Sequence, residues 1–123
     1  MFAAGCGSSD APTIGDLVPH PEVAADDKGP AILDGCRSGT THTDAWACVY
    51  GDPASEKTVV LWGDSHALQY TPPLVELARA RGWRLVTMFR GNCLTADLPY
   101  TDPCDAWRAN AMLHGAASFQ VVT

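Results

Sequence analysis

An α/β fold built on parallel strands is what this sequence predicts, and three observations predict it. First, Val59-Val60-Leu61-Trp62 is a short apolar run, rich in β-branched residues and without alternation, as in a strand covered on both faces. Second, a helical pattern follows and ends at Gly82, and another apolar run, residues 84–89, comes directly after it. Two strands joined by a helix of this length make a βαβ unit, whose crossover is expected to be right-handed. Third, a further helical stretch leads into Phe119-Gln120-Val121-Val122-Thr123, which reads as the start of a third strand.

The elements follow in order. Residues 1–30 are rich in Ala, Pro, Gly, Asp and Ser without a sustained period, so they read as a linker or tether. Residues 17–21 are at most a short extended piece. Residues 31–52 are loop-rich, broken by Gly35, Gly39 and Gly51, with Trp46 and Tyr50 expected to pack this region against the main sheet. Gly51-Asp52-Pro53 is a turn signal before the first strand, residues 57–62. The helix expected over residues 67–81 meets Pro72-Pro73, which a helix tolerates only in its first turn. The main helix is therefore expected near Thr71, after a separate turn or a kink, with Leu74, Val75, Leu77 and Ala78 as its apolar stripe. Gly82 is its expected C-cap. After a loop over residues 90–103, residues 104–117 read as a second helix, with Trp107, Ala111, Leu113 and Ala117 among its buried candidates. A buried strand at the very terminus with no helix after it suggests a fragment.

Composition narrows the class. A chain of 123 residues is one small domain or part of a larger one. At 46% hydrophobic and 18% charged it can form a globular core and is neither disordered nor a coiled coil. Its net charge of -6 argues against nucleic acid as a partner, which needs a basic face. No apolar run is long enough to span a bilayer.

The five cysteines, Cys6, Cys36, Cys48, Cys93 and Cys104, include no C-x-x-C pair, so a zinc site or a thioredoxin-type motif is not expected. Cys36 and Cys48 are near neighbours in sequence, as are Cys93 and Cys104, and are read as two local disulfides formed in an oxidising compartment. Four reduced core thiols are the rival reading, and four cysteines allow three pairings. Cys6, after Ala3-Ala4-Gly5 and before Gly7-Ser8-Ser9-Asp10, resembles a bacterial lipobox without the basic and apolar parts of a signal peptide before it.

The chemistry centres on Gly63-Asp64-Ser65-His66. A small polar loop at the carboxyl end of a buried parallel strand is where α/β folds hold ligands. A serine on a sharp strand-to-helix turn presents its hydroxyl above the sheet edge, with amides nearby for an oxyanion. Ser65 is thus the candidate nucleophile. Its plainer reading is a helix N-cap, which Ser and Asp both serve. Asp64 and His66 also have the D-x-H spacing of calcineurin-like metallophosphoesterases, in which both would bind a metal. The G-D-x-x-D that should follow is absent, and Gly91-Asn92-Cys93 only half matches their G-N-H. His42, His66 and His114 read as surface or packing residues, and Arg79, Arg81, Arg84, Arg90 and Arg108 as solvated charges, with Arg90 a candidate to face the site. Trp62, Trp83 and Trp107 read as core or rim packing rather than sugar platforms.

Taken together, these residues resemble a family. G-D-S after a buried strand is similar to block I of the SGNH (GDSL-type) hydrolases. Asp34-Gly35-Cys36, Cys48-Val49-Tyr50-Gly51-Asp52, Val59-Val60-Leu61-Trp62-Gly63-Asp64-Ser65-His66-Ala67, Gly82-Trp83, Cys93 and Cys104 with Trp107 resemble the SGNH domain fused to bacterial membrane O-acyltransferases (acyltransferase family three). Ala24-Ala25-Asp26-Asp27 resembles the linker before that domain. The resemblance covers residues 17–123 and makes residues 31–123 the N-terminal portion of such a domain.

What the resemblance implies is a three-layer α/β/α sandwich with a parallel sheet, flavodoxin-like, truncated after about three strands. It implies transfer of acyl groups, usually acetyl, to or from cell-envelope polysaccharide or peptidoglycan, with no cofactor and no metal. It also implies a place on the extracytoplasmic face, attached through a fused or separate membrane acyltransferase domain or through lipid on Cys6. Ser65 matches the nucleophile, Asp64 the residue bracing the turn, and Gly91, with Asn92 beside it, the oxyanion glycine. The family's base, a histidine in D-x-x-H, has no counterpart: none of His20, His42, His66 and His114 has an aspartate three residues earlier. Ser65 therefore lacks an identifiable base, and this chain alone is expected to be inactive. A non-catalytic secreted or lipid-anchored surface domain is the remaining alternative.

Overall fold

The computed structural model describes residues 12–118. The lipobox-like segment around Cys6 and the expected third strand at residues 119–123 lie outside the described residues. The described part of the linker holds two short 3-10 turns, Ile14–Asp16 and Ala24–Asp26, and buries none of their residues.

The described elements are α1 (Pro30–Leu33), β1 (Arg37–Ser38), β2 (Cys48–Gly51), β3 (Thr58–Gly63), α2 (Ser65–Leu68), α3 (Thr71–Arg81), β4 (Arg84–Arg90) and α4 (Asp102–Ser118). All sheet pairing passes through β4. On one side β3 runs parallel to it, from Thr58 opposite Arg84 to Gly63 opposite Phe89. On the other side β2 runs antiparallel, from Cys48 opposite Thr87 to Gly51 opposite Arg84, and β1 continues in parallel with Ser38 opposite Arg90.

The α/β class and the β3–α3–β4 unit stand as expected, but the described sheet is mixed rather than parallel. The correction comes from residues 31–52, read as loop and here carrying two strands. These strands are four and two residues long, and their hydrogen bonds go to a strand more than thirty residues away in sequence, so no local period announces them.

Side chains of β4 alternate between two covered faces. Leu85 packs with Val75 and Ala78 of α3 and with the partly buried Val59 and Leu61. Phe89 packs with Ala31, Cys36 and Leu68. On the opposite face Met88 packs with Cys93, Cys104, Trp107 and Ala111, and Trp62 lies against this cluster. Helices thus cover both faces.

Pro72 and Pro73 fall in the first turn of α3, after the separate turn α2, where missing N–H donors cost nothing. The Thr71 hydroxyl, fully buried, donates to Leu68 O at 2.7 Å and ties the two helices together. Gly82 ends α3 at φ 62, with the Trp83 amide donating to Ala78 O at 2.8 Å, the paired bonding of a glycine-terminated helix.

Three side chains depart from expectation. Leu77 faces outward on α3 and is 37% exposed. Leu113 is also exposed, because it sits two residues, about 200° of helix turn, from the buried face of Cys104, Trp107 and Ala111. Trp46 does not pack on the sheet. It is partly exposed, donates from Nε1 to Gly35 O at 3.3 Å and meets His42 edge-on. Tyr50 does join the sheet, and its hydroxyl donates to Asp34 Oδ2 at 2.9 Å. Both expected disulfides are present, Cys36–Cys48 and Cys93–Cys104.

Candidate functional site

The site lies at the carboxyl ends of β3 and β4. The register pairs Gly63 with Phe89, so the turns that follow, through Ser65 and through Gly91, start side by side. Gly63 is required by space: a Cβ there would stand 2.5 Å from Ala67 Cβ. That closeness lets α2 start two residues after the strand and makes the turn sharp.

Asp64 is the N-cap of α2, its Oδ1 accepting from the His66 amide at 2.9 Å. Burial works to raise its carboxyl pKa, but the His66 and Ala67 amides and the His66 ring outweigh it, and the net shift is downward. Asp64 therefore braces the turn as an ionised cap. Because Asp64 takes the capping role, Ser65 is left as the first helical residue, exposed, and its amide is one that an α-helix leaves without an intrahelical acceptor. Its hydroxyl has no hydrogen-bond partner among the described residues.

Two histidine rings have polar contacts of their own. His66 Nδ1 lies 3.4 Å from Asp64 Oδ1. His42 Nδ1 accepts from the Gly39 amide at 3.1 Å. Among the described residues no three His, Cys, Asp or Glu side chains come together as metal ligands, so Asp64 and His66 have no third partner.

Across from Ser65, Gly91 is buried and its amide donates to Ser38 O at 3.4 Å, a long bond that turns it toward β1. Asn92 is exposed and holds the left-handed region at φ 54. Its Oδ1 accepts from the Tyr100 hydroxyl at 3.4 Å. The next residue, Cys93, is fixed to α4 by its disulfide.

Two arginines expected to be solvated charges, Arg90 and Arg108, instead hold this edge together. Arg90 is 2% exposed, and its guanidinium donates to Thr40 O and, at 2.9 Å, to His42 O. It thus pins the loop after β1 rather than facing the site. Burial lowers its pKa from the ordinary arginine value. Arg108 of α4 donates to Leu94 O, Ala96 O and Leu98 O and pairs with Asp105. It therefore sets the course of the loop that begins with Asn92. Trp107, fully buried, adds a third tie, donating from Nε1 to Ser38 Oγ at 3.2 Å.

Between this loop and α4 is a cleft of about 500 Å³, lined in part by Trp62, Thr95, Asp97 and Arg108. Thr95 reaches the strand-to-helix turn itself: its Cγ2 is 4.0 Å from where a Cβ on Gly63 would stand.

Fold and site together define an α/β domain with an exposed serine on the turn after β3, flanked by a pinned loop from the neighbouring strand; β3 itself is only partly buried, with Val60 39% exposed, rather than covered on both faces as its apolar run suggests, because among the described residues it pairs with β4 alone. The family model for the SGNH domain fused to AT3 domains matches residues 35–122, and the chain belongs to that family. No curated protein and no solved structure gives a match. Among the described residues no helix is long and apolar enough to cross a membrane.

Proposed function

We propose that this domain serves O-acyl transfer or ester hydrolysis on cell-envelope glycans, with Ser65 as the nucleophile and acetyl as the group carried. The observation that carries the reading is the exposed Ser65 hydroxyl on the turn after β3, in a member of a family fused to AT3 domains. In the reaction a base removes the Ser65 proton as Oγ attacks the acyl carbonyl; the bond from the acyl carbon to the donor's heteroatom then breaks and the donor leaves with that proton, after which a sugar hydroxyl or water attacks the acyl-serine, takes the acyl group and returns its proton to Ser65 Oγ. The Ser65 amide and the Asn92 side chain hold the oxyanion, a contribution of about 3–4 kcal/mol per donor. Gly91, with its amide engaged by Ser38, serves by allowing close approach at the start of the loop.

The family relation supports a three-layer α/β/α sandwich in which the parallel pair β3–β4 is part of a mixed sheet. It also supports a membrane acyltransferase domain as a fused or separate partner, and thus the extracytoplasmic face of the cell envelope as the location. The chain has no D-x-x-H, so it lacks the base that Ser65 needs and is inactive alone. An ester-hydrolysis assay on the purified chain tests this: background rates are expected. Appreciable hydrolysis that disappears in Ser65→Ala would show that a base is present after all.

A further inference from the structure

We propose that the cleft between α4 and the loop after β4 binds an uncharged pyranose ring, and so selects neutral over acidic glycans for the site at Ser65. The identity of the ligand as a sugar rests on the acyl-transfer reading; the preference for a neutral one rests on the cleft. Its volume of about 500 Å³ falls within the roughly 300–1,000 Å³ of ligand clefts. It adjoins the turn after β3 through Thr95, whose Cγ2 is 4.0 Å from the place of a Cβ on Gly63, so a ring held there lies at the same sheet edge as Ser65.

The polar groups of the cleft are acceptors with few donors to spare. Arg108 looks like an anion receptor but is already engaged: Nη1 serves Leu94 O and Ala96 O, and Nη2 serves Leu98 O and Asp105 Oδ1. Only its Nε remains. Asp105 is engaged in turn by Arg108 and the Tyr100 amide. Asp97 is exposed, and among the described residues it has no ion pair and no hydrogen bond. The cleft therefore offers a free carboxylate to a donor-rich ligand and has nothing to neutralise an acidic one, on a chain of net charge -6. Sugar hydroxyls are such donors.

The apolar wall is Trp62 with Met112. An indole beside a sugar offers its face to the ring's C–H groups and its N–H to an oxygen. Trp62 Nε1 is buried with no acceptor among the described residues, a state that costs free energy until an oxygen is supplied. In the proposed complex a ring or hydroxyl oxygen of the sugar supplies that acceptor.

The test is a titration of the isotope-labelled chain with three trisaccharides, followed by amide and indole NMR. The probes are cellotriose, the N-acetylglucosamine trimer and the galacturonic acid trimer. Saturable shifts at the Trp62 indole and at residues 95–97 are expected with at least one neutral trimer, and binding at least tenfold weaker with the uronate. Asp97→Ala should weaken neutral binding about tenfold, the loss of one charged hydrogen bond. Ala109→Phe, at an exposed position that lines the cleft, should abolish it. Absence of saturable shifts with both neutral trimers overturns the proposal, as does equal binding of the uronate or unchanged binding in both variants. A chain that becomes acylated on Ser65 but binds neither trimer refutes the cleft and leaves the acyl-transfer reading intact.

Discussion

Gly63→Ala tests whether the sharp turn at the site depends on missing volume. The new Cβ would stand 2.5 Å from Ala67 Cβ, where carbon atoms ordinarily approach to about 3.5–4.0 Å. About 1 Å must be relieved, by bending the turn or by moving α2 and Ser65 with it. Overpacking of this kind costs about 1–3 kcal/mol. Replacing a strand glycine by alanine returns about 0.5–1 kcal/mol of backbone entropy. A net loss of about 1–2 kcal/mol is expected by urea denaturation. The diagnostic variant is Gly63→Ala/Ala67→Gly, in which the two carbons no longer meet. Ala67→Gly alone should cost about 1 kcal/mol as a helix substitution, so the double variant should be more stable than the sum of the two single losses by about 1–2 kcal/mol. Strict additivity, or a Gly63→Ala chain as stable as the parent, would refute the steric account of the turn.

Other expectations follow from the same contacts. Trp107→Ala should cost about 3–5 kcal/mol by denaturation, since the side chain is fully buried and is also a donor to Ser38. Arg108→Ala should raise amide exchange at residues 94–98 while leaving β3 and β4 protected, because its guanidinium holds the three carbonyls of that loop. Removing Cys93–Cys104 by paired serine substitution should cost about 3 kcal/mol, the loop-closure value for a sequence separation of 11. Tyr50 should titrate near a pKa of about 12, raised by burial and then by Asp34, and Tyr50→Phe should remove that step from an absorbance titration. Because its folded pKa lies above the unfolded one, this contribution is full below about pH 10 and is lost as pH rises through about 12. Asp64 has the opposite sign: its lowered pKa contributes stability above the ordinary carboxylate range that is lost on acidification, and Asp64→Asn should flatten that part of a stability–pH curve.

What could be read from the sequence was whatever a short stretch of chain decides by itself. β3 and β4 follow from apolar runs, α3 from its stripe and from Gly82, and the separate turn before it from Pro72-Pro73. The pairing of near-neighbour cysteines also held. The place of Ser65 on a turn between strand and helix was legible because that turn is local. β1 and β2 were not, because their existence depends on pairing with β4 far along the chain. The same cause hid the bond from the Gly91 amide to Ser38, which only the unforeseen strand β1 can supply. The roles of Arg90 and Arg108 were not legible because each guanidinium is held by carbonyls that loops elsewhere in the chain turn toward it, and no spacing in the sequence reports that.

The central claim is that Ser65 is a nucleophile waiting for a base, and chemical rescue addresses it most directly. The purified chain is incubated with p-nitrophenyl acetate, with and without imidazole as an external base, and acetylated sites are mapped by peptide mass spectrometry. Acetyl on Ser65 that rises with imidazole, well above that on the exposed serines and lysines, is the predicted result. Acetylation of Ser65 no greater than at those other sites, with no response to imidazole, would contradict it.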